Sequence, residues 1–209
     1  MHLGKVVKSN SHCDYVIQLD DNLSTLTPPD ADQFGFGSFV KLEDSGDDLL
    51  RPASEWRHWA VGIIYNTQLY NPSFNSSGPR LSSEPDPLFT PDQVNEARTL
   101  LGVVLVGAMQ QEGDRHYGLQ RIPRVVVPFN TAAALMSADE IYRFHRDQAN
   151  QPQFRYYMHL LRGGGHFATE LAQHILDGLQ ASPFTLEERR ALEVLRKELS
   201  WKTAMGAMR

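Results

Sequence analysis

Cysteine is almost missing from this chain: Cys13 is the only one in 209 residues, so no internal disulfide can form and nothing points to a disulfide-held secreted scaffold. Long apolar runs are missing too. The longest, near residues 100–109, is about half of the roughly 20 residues that a membrane-spanning helix requires. No Gly-x-x-x-x-Gly-Lys-Ser/Thr occurs, which removes the phosphate-cradling loop of a P-loop ATPase. A basic excess is absent as well: 25 acidic against 20 basic side chains leave a net charge of −5, which argues against a surface dominated by nonspecific DNA binding. Met-His-Leu-Gly-Lys leads straight into a strand pattern with no apolar signal region. The expectation is a cytoplasmic protein without membrane insertion.

What remains is ordinary soluble-globular composition, 41% apolar and 22% charged, with room for one large domain or two small ones sharing an interface. The charge is uneven. Residues 1–98 carry 14 acidic and 7 basic side chains, whereas residues 99–209 carry 11 and 13. That asymmetry permits a local basic face in the second half, and it equally lets the two halves attract each other.

The first half has period-two patterning. Tyr15, Ile17 and Leu19 alternate with Val16 and Gln18, as in a half-buried strand, and Asp20-Asp21-Asn22 closes the run. Gly35 and Gly37 precede Ser38-Phe39-Val40-Lys41-Leu42, an acidic turn follows at residues 43–48, and residues 59–65 form the third strong strand. Short strands at such spacing, with glycine at the bends, predict a barrel. Residues 71–87 read as a loop, and Thr90-Pro91-Asp92-Gln93 opens a predicted helix to about Thr99. Strand returns at residues 101–109 and again, briefly, at 117–121.

The character changes after Pro128. Ser137-Ala138-Asp139-Glu140 is a capping box that opens a helix to about Gln148, with Ile141, Phe144 and His145 inward. A short helix is predicted over 153–162, ended by Gly163-Gly164-Gly165. Another over 166–180 places Phe167, Leu171, Ile175 and Leu179 on one stripe. Thr185-Leu186-Glu187-Glu188 caps a last helix whose Leu192, Leu195 and Leu199 form its apolar face. The fold expected is α+β: an N-terminal small β-barrel over 1–128 with a C-terminal helical bundle, 129–209, packed against it.

Gly4-Lys5-Val6, Gly37-Ser38-Phe39-Val40 and Val61-Gly62-Ile63-Ile64, in that order, resemble the HerA–ATP synthase barrel family, the HAS-barrel. Leu101-Gly102-Val103-Val104, Arg121-Ile122-Pro123-Arg124 and Pro128-Phe129-Asn130-Thr131 suit the end of such a domain, so the resemblance covers about residues 1–140. In that family the barrel resembles a noncatalytic collar that organises a ring and contacts other subunits. Without the ATPase core, the resemblance implies partner contact and does not carry ATP hydrolysis or ring formation with it.

Chemistry-bearing groups are sparse. Gly163-Gly164-Gly165-His166 offers backbone N–H groups to an anion but lacks the lysine and Ser/Thr of a nucleotide loop, and it reads better as a helix–helix turn. His166, Glu170 and His174 share a helix face, yet the outer pair lies about 12 Å apart along the axis, so no single compact metal site is expected. His12-Cys13-Asp14 sets a thiol between an imidazole and a carboxylate, but adjacent strand residues point to opposite faces, which favours a packed cysteine. Asp20-Asp21 and Asp47-Asp48 read as solvated turn acids, and Trp56, Trp59 and Trp201 as packing or interface residues. Arg115, Tyr117, Arg121 and Arg124, with His116, form a basic and aromatic stretch that is the candidate interaction surface; Arg189, Arg190, Arg196, Lys197 and Lys202 extend it but interleave with glutamates.

The function expected is a noncatalytic accessory or adaptor that docks through the barrel to a larger assembly through a protein partner. The expectation includes no catalytic residues, no cofactor and no metal. One alternative is a nucleic-acid-processing accessory working with a HerA-like translocase or nuclease; a second is a histidine- or metal-dependent hydrolase.

Overall fold

The computed structural model describes residues 1–21, 25–31, 33–43, 59–70, 98–113, 115–124, 126–163, 167–180 and 184–206. Among these residues are seven strands, β1 (His2–Ser9), β2 (Asp14–Leu19), β3 (Phe39–Glu43), β4 (Trp59–Tyr70), β5 (Arg98–Glu112), β6 (Arg115–Leu119) and β7 (Ala132–Leu135). Four helices are also among them: α1 (Ala138–Phe144), α2 (Tyr157–Gly163), α3 (Ala168–Gln180) and α4 (Leu186–Gly206).

The strands run β2-β1-β7-β3-β4-β5, all antiparallel, and β5 returns to β2, so six staves close a barrel. The α+β class and the barrel are therefore as the sequence predicts. β5 is shared between two ladders on one edge: its first half pairs with β2 (Val103 opposite Tyr15) and its second half with β6 (Met109 opposite Gly118). Closure requires sharp coiling, and the ladders carry register shifts at Val6/Lys8, Val61/Gly62 and Ile64/Asn66. Gly4 sits where β1 and β2 approach so closely that a Cβ would lie 1.9 Å from the Gln18 carbonyl oxygen.

Alternation along each stave sorts the apolar residues into two cores. Leu3, Val6, Tyr15, Ile17, Val40, Leu42, Ile64, Leu101, Val103 and Leu105 point inward and fill the barrel. Phe39, Val61, Ile63, Val106 and Met109, on the outer face of β3, β4 and β5, belong to a second cluster with Phe144, Tyr156 and Leu160 and with Leu171, Ile175 and Leu179 of α3. Leu192 and Leu199 of α4 join the same cluster.

Several boundaries differ from the sequence reading. The helix expected to reach Gln148 ends at Phe144, where the His145 backbone N–H turns back to Ile141 and Tyr142. The helix expected from Gln153 starts at Tyr157, because residues 153–155 are held extended by bonds to the barrel. Phe167 is 65% exposed rather than inward; its ring meets Phe36 edge-on at 6.5 Å, while Leu171, Ile175 and Leu179 are buried as expected. Arg98 and Thr99 are strand, so the helix expected to end near Thr99 does not include them; the rest of that helix, the loop at 71–87, most of the turn at 43–48 and Trp56 lie outside the described residues. The last stave, β7, lies at Ala132–Leu135, beyond residue 128. Among the described residues no helix is long and apolar enough to cross a membrane.

Candidate interaction cleft

The groups with catalytic potential are mostly occupied in holding the fold together. His12 Nε2 stands 2.6 Å from the Pro123 carbonyl oxygen, and Asp14 accepts the Tyr65 hydroxyl at 2.8 Å, so neither faces Cys13 as a base. Burial pushes the Cys13 thiol up, away from the thiolate a nucleophile needs, and the side chain packs against the barrel core. Burial first, then the hydrogen bond to the negative Asp14 carboxylate, pushes Tyr65 up to about 12. Asp20 pairs with His2 at 3.1 Å and Asp21 with Arg98 at 3.0 Å.

Glu170 and His174 are both exposed on α3, and the His174 ring leans on Phe36 and Gly37 at the rim of a small hollow of about 280 Å³. His166, Gly164, Gly165 and Asp47-Asp48 lie outside the described residues. Among the described residues no three His, Cys, Asp or Glu side chains come together as a metal site.

His145 sits in an apolar cage, 2% exposed and ringed by Phe39, Phe144, Phe154, Tyr156 and Phe184. Its Nδ1–H donates to the Ile141 carbonyl at 2.7 Å, since a carbonyl can only accept, and Nε2 accepts the Tyr156 hydroxyl at 2.9 Å. Burial lowers its pKa to about 4, and the Ile141 bond offsets this only in part. Burial also raises Tyr156 well above an ordinary tyrosine. A neutral pair, sealed from solvent, serves packing. Next to it Arg146 donates to both oxygens of Glu188, at 3.0 Å from Nη2, lies 4.6 Å over the Tyr142 ring, and ties α1 to the start of α4. Burial works to raise Glu188, but the Arg146 bonds outweigh it and its pKa falls.

The candidate interaction surface divides in two. Tyr117 and Arg121 line a cleft of about 600 Å³ between β5–β6 and the connection from α1 to α2; Arg115 and Arg124 are exposed but do not line it. The floor is built from side-chain amides. Gln120, 6% exposed, donates to the Phe144 carbonyl at 3.1 Å and accepts the Arg155 backbone N–H at 2.7 Å. Gln153 donates to the Gly118 carbonyl at 2.6 Å and to the Arg146 carbonyl at 3.1 Å, and Tyr117 donates to Gln110 at 2.9 Å. These bonds bring Arg155 to the residue beside Arg121. Gly118 allows this: a Cβ there would stand 1.9 Å from the Phe144 carbonyl oxygen.

Gln110, Gln120, Gln153 and Arg155 were missed by sequence reasoning. Glutamines in a polar stretch look solvated, and the only available signal was the density of Gln and Arg on both sides of the capping box at Ser137. Compared with curated proteins, the chain finds no match. A family model covers barrel, cleft and helices together, residues 1–209, and the chain belongs to that family, described as Domain of unknown function (DUF8166).

Proposed function

We propose that this protein is a noncatalytic docking module, in which a HAS-like barrel carries a helical bundle on its outer face and joins a larger assembly through a protein partner. One observation carries the reading: His12, Asp14, His145 and Tyr156 are spent on holding the fold, while Arg121, Arg155, Gln110 and Gln153 leave polar groups unspent in one exposed cleft. The HAS-like assignment is supported by where its motifs fall, since Gly4–Val6, Val61–Ile64 and Leu101–Val104 lie on staves of a closed barrel and Gly37–Val40 leads into another. The bundle reading is supported by the cluster that joins α3 and α4 to outer-face strand residues.

Affinity capture with the purified protein from its native cells, followed by mass spectrometry and by a size measurement, tests the reading. A stoichiometric protein partner is expected. Protein that recovers no partner and does not self-associate overturns it. A second reading, a nucleic-acid-processing accessory acting with a HerA-like translocase or nuclease, draws support from Arg115, Arg121 and Arg124, which are exposed and meet no carboxylate among the described residues. Titration of labelled single- and double-stranded DNA at two salt concentrations checks it, and no binding at low salt removes direct contact.

A further inference from the structure

We infer that the cleft between β5–β6 and the α1–α2 connection takes an extended acidic peptide segment of the partner; this rests on the docking reading above. The argument is an inventory of what the cleft's own bonds leave over. Among the described residues the guanidinium groups of Arg121 and Arg155 meet no protein partner, and Gln120, next to Arg121 in the chain, holds the Arg155 backbone. Gln110 uses its oxygen for the Tyr117 hydroxyl and leaves its NH₂ free. Gln153 uses its NH₂ for the Gly118 and Arg146 carbonyls and leaves its oxygen free.

The unspent set therefore includes two forked cations, an amide donor and an amide acceptor, while the Asp147 carboxylate in the same lining accepts the Gln151 backbone N–H at 2.8 Å. A carboxylate is the planar anion that a guanidinium grips through two parallel bonds. A peptide group, with one C=O and one N–H, complements the free amide donor and acceptor. The volume, about 600 Å³, lies in the range that holds a small ligand or a few residues of chain. Ile122, next to Arg121 in the chain, is exposed and offers the same segment an apolar contact.

A nucleic-acid strand suits the cleft less well. The Tyr117 hydroxyl is tied down and its ring half-buried, which removes the obvious stacking platform. Asp147 lines the cleft, and Glu112, bonded to Gln148 at 3.0 Å, brings a second carboxylate to its rim. A nucleic-acid strand brings a phosphate at every step and would set some of them against these carboxylates, whereas a peptide can place its acidic side chains at Arg121 and Arg155 and neutral residues beside Asp147.

The test is selection of displayed random peptides of about twelve residues on the full-length protein, with the winners and a dT oligonucleotide then titrated by fluorescence anisotropy. Enriched sequences rich in Asp and Glu are expected, binding the double variant Arg121→Glu/Arg155→Glu roughly tenfold or more weakly, with Arg115→Glu near wild type. Both arginine side chains are solvent-facing, so an unchanged melting temperature is expected to show that the double variant folds. No enrichment, enrichment without acidic bias, affinity unchanged in the double variant, or tight oligonucleotide binding lost in that variant each overturns the proposal. Affinity capture with the double variant separates this from the docking reading. A partner retained by both proteins leaves docking intact and sinks the cleft, whereas acidic peptides that bind without any cellular partner leave the cleft and sink docking.

Discussion

His145 shows how one residue sets a pH limit on the fold. Its pKa falls from an ordinary 6.5 to about 4 on burial, so the folded state refuses a proton that the unfolded chain accepts. Stability from this source is complete above about pH 6.5, declines as pH falls toward 4, and is flat below that, with a total loss on the order of 3 kcal/mol. Glu188 adds a separate acid loss at lower pH, because its folded pKa lies below 4.5 and its contribution disappears only as it protonates. Urea unfolding at pH 7.5, 6, 5 and 4 is expected to show the decline starting well above the carboxylate range, and His145→Leu is expected to remove that upper part of the slope. Cys13 behaves in the opposite sense. With its thiol pushed up by burial, alkylation at pH 8 is expected to be slower than for a free thiol, and a rate matching the free thiol would contradict the packed state described here.

Elements depend on caps and on which face they bury. Ser137 and Thr185 each close a reciprocal pair with a glutamate three residues on, so Ser137→Ala or Thr185→Ala is expected to cost about 1 kcal/mol by denaturant titration. Leu171→Asp places a carboxylate in the shared core and is expected to cost about 4 kcal/mol or more, while Phe167→Ala and Glu193→Ala leave stability near wild type. Both caps and the Leu171 stripe were legible in the sequence because they depend on neighbours three or four residues away. β7 was not. Ala132-Ala133-Ala134-Leu135 has weak strand propensity and is held as a strand by β1 on one side and β3 on the other, where small side chains fit between staves. β4 was read only to Tyr65 because Asn66-Thr67-Gln68 lacks an apolar alternation; pairing with β5 carries it to Tyr70. The cleft was half legible. Tyr117 and Arg121 carry their chemistry in their names, but Gln120 and Gln153 matter through bonds to residues far along the chain, which local spacing does not encode.

For the whole molecule, the outer-face cluster predicts one cooperative unfolding transition, seen at the same midpoint by tryptophan fluorescence and by far-ultraviolet circular dichroism. Two separated midpoints, or limited proteolysis near residue 130 that releases two independently folded pieces, would instead mean a tethered pair of domains. Closure of the barrel also has a consequence in time. Gly4 pairs with Ala133, and β7 bonds to β1 and β3 together, so the first stave to leave the ribosome waits for the last. Until residues 132–135 emerge, β1 and β3 each present an open edge, the kind of surface that recruits strands from other chains. A nascent chain that has emerged only to residue 128 should therefore stick to its neighbours or to a chaperone, and one halted far enough on for Leu135 to be outside the ribosome should have its seam sewn.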